Sequence, residues 1–194
     1  IWFDATIRRL NLEGRGELLG AFKGEDKLLI ATEEGTVRVV TPELTLHFDD
    51  TVMHIEKWIP EKPITAVHFD PTKERYFLKR FCIESEDKED SFIKEGGQLI
   101  FTSFEGRPVL EVEFEKPRGK EKPQSLLVNA EEFISVKGFK ALGNQLTDKK
   151  IKKIVLKEAL VYEAPQPEEL HDIEVKGEEA ITPDSENSQI SLDL

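Results

Sequence analysis

The sequence has few of the residues on which disulfide frameworks, metal clusters and membrane spans depend. Its 194 residues include one cysteine, Cys82, which excludes an intramolecular disulfide and a cysteine-built metal cluster and is compatible with a reducing cytoplasm. No apolar run approaches the roughly 18 residues that a membrane helix needs, and no charged-then-apolar signal segment is present. Because the first residue is Ile1 and not Met, we expect the sequence to be a piece of a longer protein.

Motifs of catalysis are also missing. The stretch Gly14-Arg15-Gly16 lacks the third glycine of a dinucleotide-binding loop, and no glycine-rich loop ends in a lysine followed by serine or threonine. The four histidines lack the spacing of metal ligands, and neither tyrosine has the surroundings of a nucleophile. We therefore predict that this segment is not an enzyme on its own and contains neither a metal site nor a cofactor.

The charges are distributed unevenly along the chain. There are 39 acidic and 27 basic residues, for a net charge of −12. Residues 163–194 contain ten of the acids and one lysine, so residues 1–162 carry only −3. Seven lysines and one acid lie between Lys137 and Lys157, and a smaller basic cluster spans residues 116–122. The net charge of the whole chain therefore conceals a basic surface and an acidic tail.

The acidic tail is predicted to be mostly disordered. Residues 163–194 combine high net charge with few aromatic residues, so they bury too little apolar surface to offset the entropy of ordering. We accordingly divide the chain into a folded domain at 1–162 and a tail at 163–194. The last six residues, Gln-Ile-Ser-Leu-Asp-Leu, alternate and could pair with an edge strand or a partner, although a frayed end is the simpler expectation.

The rest of the chain has strand-like patterns nearly throughout, with room for one short helix. We predict hairpins that join 27–32 to 36–40, 65–69 to 75–81, 98–102 to 109–114 and 125–128 to 133–137, with a less regular pair at 44–48 and 52–55. The units recur every 28 to 38 residues, as blades of a radial all-β array do. Periodicity alone leaves a single irregular β-sandwich equally open.

Two of these stretches carry a family resemblance. Residues 27–38, KLLIATEEGTVR, resemble the repeated strand motif in the C-terminal domain of the A subunits of bacterial type II topoisomerases. Residues 136–146, VKGFKALGNQL, are similar to that family's basic residue–glycine–apolar signature between blades. The stretches 1–11 and 190–194 also resemble the ends of this region in the A subunit of topoisomerase IV. The resemblance extends over roughly residues 1–160 and contains no catalytic signature.

The resemblance implies an all-β β-pinwheel, a propeller-like disc of about four blades that exchange strands. Its outer rim would bind and bend duplex DNA to position a segment for strand passage. The domain would be a non-catalytic accessory part of an ATP-dependent type II DNA topoisomerase, a DNA isomerase of the bacterial cytoplasm and nucleoid. Its partners would be duplex DNA, the remainder of the A subunit and the ATPase B subunit, with no cofactor in this domain and no membrane.

One departure from the family pattern bears on the type of enzyme. The A subunit of DNA gyrase has a strongly basic, glycine-rich box ahead of the first such hairpin. The corresponding stretch here, residues 12–17, has two acids and one arginine. The resemblance therefore favours the A subunit of topoisomerase IV over that of DNA gyrase.

The candidate DNA contacts are basic residues, because each one that neutralises a phosphate releases a counterion, and a convex rim reads backbone shape rather than base edges. The residues that we expect to contact phosphate are Arg8, Arg9, Arg15, Lys137, Lys140, Lys149, Lys150, Lys152 and Lys153. The acidic tail could compete with phosphate for this surface and act as an electrostatic brake. The alternative, supported by the overall acidity, is a propeller-like protein-interaction module that does not bind DNA, with a stand-alone hydrolase a distant third.

Overall fold

The structure is a computed structural model that describes residues 1–86 and 88–165. Within these residues the chain forms fourteen strands and one short helix. In chain order they are β1 (Trp2–Asp4), β2 (Arg9–Asn11), β3 (Glu17–Leu18), β4 (Leu28–Thr32), β5 (Thr36–Val40), β6 (Val52–Lys57), β7 (Ile64–Asp70), β8 (Arg75–Phe81), β9 (Asp90–Ser91), β10 (Gln98–Ser103), β11 (Pro108–Phe114), β12 (Leu126–Asn129), α1 (Ala130–Phe133), β13 (Asn144–Thr147) and β14 (Ile151–Ala159).

The strands form four separate antiparallel sheets. The first sheet has the order β2-β1-β3, the second β6-β4-β5-β9, the third β10-β7-β8-β13 and the fourth β12-β11-β14. The number of sheets agrees with the four blades that the resemblance implies. It excludes the single β-sandwich, because a sandwich has two sheets that face each other.

Neighbouring sheets exchange strands. The strand β9 follows the β7–β8 hairpin of the third sheet in the chain, yet it pairs with β5 of the second sheet. The strand β13 follows β11 and β12 of the fourth sheet, yet it pairs with β8 of the third. Because each exchanged strand links one sheet to the next, the fold is the β-pinwheel that the resemblance implies.

Apolar clusters between successive sheets hold the array together. Leu28 and Ile30 of β4 face a cluster shared with the first sheet, whereas Leu29 and Ala31 of the same strand face a cluster shared with the third. A further cluster joins Val67 and Leu78 of the third sheet to residues of the fourth. A strand buried on both faces reads as a continuous apolar run, which explains the pattern of residues 28–31.

Two of the predicted hairpins are confirmed. The strands β4 and β5 pair across the turn that contains Gly35, and β7 pairs with β8 across the turn at 71–74. Gly35 has a φ of 83° and its amide donates to Thr32. Only glycine adopts this conformation without strain, so the turn of this hairpin requires glycine at position 35.

Two other predicted pairings are wrong. The segment 98–103 forms β10, but it pairs with β7 of the third sheet, whereas 108–114 forms β11 in the centre of the fourth sheet. The strand β6 likewise pairs with β4, and residues 44–48 contribute only a bridge between His47 and Arg9. Alternation shows which face of a strand is buried, but it does not show which strand lies beside it.

The predicted strand at 133–137 is also wrong. Asn129 is the N-cap of α1, and its Oδ1 accepts hydrogen bonds from the amides of Glu131 and Glu132 at 3.1 and 3.4 Å. Asparagine followed by two glutamates is a helix-start signal, so the stretch interpreted as a turn begins the helix. The chain then extends, and Lys137 forms a parallel bridge with Phe81.

The structure bears only partly on the expected acidic tail and on the expected absence of a membrane helix. The acidic tail falls mainly on residues 166–194, outside the described residues, and the division at residue 162 stays a prediction. Within residues 1–86 and 88–165, no helix has the length and apolar character needed to cross a membrane.

Candidate nucleic-acid interface

Lysines of the basic run 149–157 lie on the fourth sheet beside a row of glutamates. The strand β11 alternates buried apolar residues with glutamates on its outer face. Lys157 Nζ lies 3.2 Å from Glu111, and Lys153 Nζ lies 3.3 Å from Glu113. Just past the strand, Lys150 Nζ lies 2.9 Å from Glu115. These lysines are more than half exposed, so the ion pairs are open to solvent and to competing anions.

The ion pairs shift the pKa values of their members in opposite directions. The hydrogen bond from Lys157 holds the pKa of the Glu111 carboxyl below its usual range, and Ser125 adds a second hydrogen bond. The hydrogen bond to Glu115 raises the pKa of Lys150. Both shifts favour the charged forms, so a phosphate that approaches these lysines must replace an existing carboxylate partner.

The two basic clusters of the sequence meet in one groove. Pairing of β11 with β14 continues past the strand ends, where the Glu115 amide donates to the Lys150 carbonyl at 2.9 Å. This contact brings the loop 116–123 against the start of β14. The groove has a volume of about 510 Å³ and is lined by Glu115, Lys116, Pro117, Lys120, Glu121, Pro123, Lys149 and Lys150. Four lysines against two glutamates leave it with a formal charge of +2.

Lys149 and Lys152 are the candidates of this run with no carboxylate partner within 4 Å among residues 1–86 and 88–165. Lys149 Nζ lies 5.6 Å from the centre of the Phe114 ring. The pairing of β11 with β14 shifts register beyond Glu113, so Lys152 faces no residue of β11 and is exposed. Their charges are therefore more available to phosphate than those of Lys150 and Lys153.

Lys137 and Lys140 lie elsewhere, along the exchange between the second and third sheets. The Lys140 ammonium donates to the Asp90 carboxylate at 2.5 Å and to the Ser91 carbonyl at 3.0 Å. That hydrogen bond lowers the pKa of Asp90. Lys137 donates through its backbone amide to the Arg80 carbonyl and has an exposed side chain. The Lys140 side chain is thus already bound to β9, whereas the Lys137 side chain is accessible for a surface contact.

The three candidate arginines belong to the first sheet and its loops. Arg8 has a φ of 52°, and its guanidinium contacts the Asp49 carbonyl and the Asp50 carboxylate, both at 2.8 Å. Arg15 lies 2.6 Å from Glu13. Arg9 is exposed on β2. The structure therefore divides the nine predicted residues among three places instead of gathering them in one cluster.

Two cations are buried and serve the fold. The Lys79 ammonium donates to the carbonyls of Phe92 and Phe139 at 2.9 and 2.7 Å. The Arg80 guanidinium donates to the carbonyls of Gly106 and Ile134. Burial, with a smaller effect of Lys140, lowers the pKa of Lys79 to about 8. Both side chains tie loops to β8 and are not accessible to a nucleic acid.

Lys116 and Lys120 line the groove but are not among the nine residues predicted from the sequence. Their basic cluster is visible in the sequence, but its place beside Lys149 depends on the pairing of β11 with β14. In residues 1–86 and 88–165, no group of three or more histidine, cysteine, aspartate or glutamate residues is arranged to hold a metal ion. The arrangement offers cationic side chains at an open groove, which is suited to binding a polyanion.

Comparison with known proteins identifies the family. No curated protein and no solved structure is significantly similar to the chain. A family model described as "Topoisomerase C-terminal domain, Bacteroidota" matches residues 9–159, which is more than three quarters of the sequence and includes β2 to β14 in full. By this match and by its four-sheet β-pinwheel, the chain belongs to the topoisomerase C-terminal domain family of Bacteroidota.

Proposed function

We propose that this domain binds and bends duplex DNA and positions a segment for strand passage by a type II DNA topoisomerase. The observation that carries the proposal is the groove between the two basic clusters, which is lined by Lys116, Lys120, Lys149 and Lys150. Duplex DNA presents closely spaced phosphates, so a row of exposed lysines gains affinity through counterion release. Family membership supplies the topoisomerase context.

The bound surface would read the DNA backbone and not the base sequence. The lysines lie on an open sheet and its loops, and the helix of the described residues, α1, has only four residues, too few to read bases along a groove of the duplex. Lys137 and Arg9, which have exposed side chains, would make further phosphate contacts on other sheets. Lys140, Arg8 and Arg15 would do so by exchanging their present carboxylate partners for phosphate. Contacts spread over several blades are suited to bending DNA around the array.

The proposal includes an assignment to the A subunit of topoisomerase IV and not of gyrase. The stretch 12–17 contributes one arginine, and Arg15 is paired with Glu13. The stretch 12–17 therefore provides little free positive charge for tight DNA wrapping. The remaining partners would be the rest of the A subunit and the ATPase B subunit, in the bacterial cytoplasm and at the nucleoid. The acidic tail would weaken DNA binding by competing with phosphate.

A salt titration of binding to a short duplex, followed by fluorescence anisotropy, tests the proposal. We expect the logarithm of affinity to fall linearly with the logarithm of salt concentration, with a slope of about −0.9 for each phosphate contact. The double variant Lys120→Ala/Lys149→Ala should bind more weakly and reduce the slope by about 2. Energy transfer between dyes on the two DNA ends measures bending in the same samples.

The matched control is Lys73→Ala/Lys88→Ala, which removes two exposed lysines from the third sheet's hairpin turn and from the loop before β9. It changes the net charge equally but should leave the slope within error of the parent. Equal losses of DNA affinity in both variants would show that only net charge matters and would contradict DNA binding at the groove.

The second candidate function is a protein-interaction module. The observation that favours it is the set of exposed apolar side chains on and beside the fourth sheet, including Leu127, Val155 and Val161, which are 63%, 39% and 75% exposed. Such side chains on a sheet where Lys150, Lys153 and Lys157 are already ion-paired are typical of a protein contact. Absence of DNA binding at low salt, together with retained folding, would favour this function over the first.

A further inference from the structure

In the first three sheets, a downstream segment covers the outer edge of the hairpin's second strand. In the second sheet β9 pairs with β5, and in the third sheet β13 pairs with β8, both antiparallel. In the first sheet, His47 bridges to Arg9 of β2, also antiparallel. In the chain, each covering segment follows the first two strands of the next sheet: His47 follows β4 and β5, β9 follows β7 and β8, and β13 follows β11 and β12. The same edge is therefore covered three times by the same topological rule.

The fourth sheet breaks this rule within the described residues. Its strand β12 pairs with β11 on one side, and no strand of residues 1–86 and 88–165 pairs with its other side. Leu126 and Leu127 are 38% and 63% exposed, and the strand contains no charged residue. An uncharged apolar edge with unpaired backbone groups is a template for another strand.

A shallow cavity lies beside this edge. It has a volume of about 250 Å³, and the residues that line it are Leu126, Leu127, Val128, Asn129, Glu132 and Phe133. Val128 and Leu126 alternate with Leu127 between the two faces of the sheet, because Val128 pairs opposite the buried Leu110 and Leu127 opposite Glu111. An added strand with apolar residues at every second position would cover the side of Leu126 and Val128.

The chain leaves β14 at the end of the sheet where such a strand would begin. After β14, the Leu160 amide donates to the Arg107 carbonyl, and Arg107 Nη1 donates to the Val161 carbonyl at 3.0 Å. The same guanidinium contacts Glu131, in the first turn of α1, at 2.7 Å. Because α1 begins where β12 ends, the exit lies beside the C-terminal end of β12. A strand antiparallel to β12 starts at this end.

We propose that residues 188–194 of this chain pair antiparallel with the outer edge of β12 and complete the fourth sheet. In this segment Ile190, Leu192 and Leu194 alternate with Gln189, Ser191 and Asp193, which is the period of a strand with one apolar face. The linking residues 166–187 can extend to roughly 70 Å. The distance across three strands is only about 15 Å.

Hydrogen exchange of the complete chain, followed by mass spectrometry, tests this pairing. The backbone amides of a peptide spanning β12 should exchange on the order of tenfold more slowly in the parent than in the variant Ile190→Asp/Leu192→Asp. The matched control is Ser191→Asp, which adds a charge on the opposite face of the same segment and should keep the parent's protection. The amides of β7 and β8 should be unchanged in all three proteins, which shows that the fold is intact.

Two outcomes would overturn the proposal. Equal exchange of β12 in the parent and the double variant would show that residues 188–194 do not cover the edge. Protection of β12 that appears only at concentrations where sedimentation shows a dimer would assign the edge to a second copy of the chain. Protection in the monomer supports pairing within one chain. DNA is absent from these measurements, so their result is independent of the proposed function.

Discussion

The Glu113 carboxylate lies 3.3 Å from Nζ of Lys153, which is its direct partner across the pairing of β11 with β14. Its second oxygen lies 3.8 Å from Nζ of Lys122, in the other basic cluster. One glutamate therefore stands between the two basic clusters. It reduces their mutual repulsion in the free protein, and in the proposed interface a phosphate that binds Lys122 or Lys153 would have to displace it.

The first prediction concerns this carboxylate. The substitution Glu113→Gln keeps the shape of the side chain but removes its charge, so Lys122 and Lys153 become available to phosphate. If the proposed interface is correct, affinity for a duplex at low salt should rise several-fold, because each exposed lysine that gains a phosphate contact adds counterion release. Fluorescence anisotropy with the parent and the variant at matched salt concentrations measures the change.

The matched control for Glu113 is Glu25→Gln, which removes one exposed carboxylate from the loop before β4. It alters the net charge by the same amount but lies in a loop that leads into the second sheet, so affinity should remain close to that of the parent. A similar rise in both variants would show that the effect is a long-range consequence of net charge.

The strand patterns of the central sheets were predictable from sequence, but the neighbours of those strands were not. Residues 28–32 and 36–40 are joined by a short turn, and their pairing follows from that local constraint. The strands β10 and β11 are also adjacent in the chain, yet each pairs with a different sheet. Their partners are set by the apolar clusters between sheets, which involve residues far apart in sequence.

For the candidate site too, the sequence shows the residues but not which of them lie side by side. The basic clusters at 116–122 and 149–153 are both visible in the sequence, and the charge of each can be counted there. Their approach to one groove depends on the register that places Glu115 beside Lys150. The ion pairs with β11 depend on the same register. The positions of the lysines in the sequence therefore predict the kind of ligand, but they do not show which lysines are already paired with carboxylates.

The second prediction concerns the buried ammonium of Lys79. The substitution Lys79→Met should lower the free energy of unfolding by about 1–3 kcal/mol, because it leaves the carbonyls of Phe92 and Phe139 without their donor in a buried site. Urea denaturation measures the difference. The control Lys73→Met replaces an exposed lysine of the neighbouring turn and should change stability by less than about 0.5 kcal/mol.

The third prediction is a pH dependence with a defined sign. The pKa of Lys79 in the folded protein is lowered to about 8 from the value of 10.5 that we take for the unfolded chain. Between these two pH values the unfolded chain binds more protons than the folded protein, so the contribution of Lys79 to stability rises with pH. Below pH 8 both states are protonated and this contribution is constant.

The measurement is the free energy of unfolding of the parent minus that of Lys79→Met, determined from about pH 7 to the unfolded-state pKa of 10.5. Subtraction removes the titration of groups that the two proteins share. The difference should increase in favour of the parent above about pH 8. A difference that stays flat over this range would show that the Lys79 ammonium is not destabilised by its burial.

The fourth prediction tests the strand exchange at Gly143, where the chain enters β13. Gly143 has a φ of 92°, and a Cβ atom at this position would collide with the backbone carbonyl of Leu78 on β8. The substitution Gly143→Ala should therefore cost more than about 1 kcal/mol of stability and increase hydrogen exchange in β13 and β8. Gly24→Ala is the control, since a Cβ there meets open space and the backbone is not in the left-handed region.

Because β13 joins the fourth sheet to the third, a loss of protection confined to β8 and β13 would show that the exchanged strand opens without unfolding the second sheet. An unchanged stability of Gly143→Ala would contradict the close approach of the two backbones at this exchange.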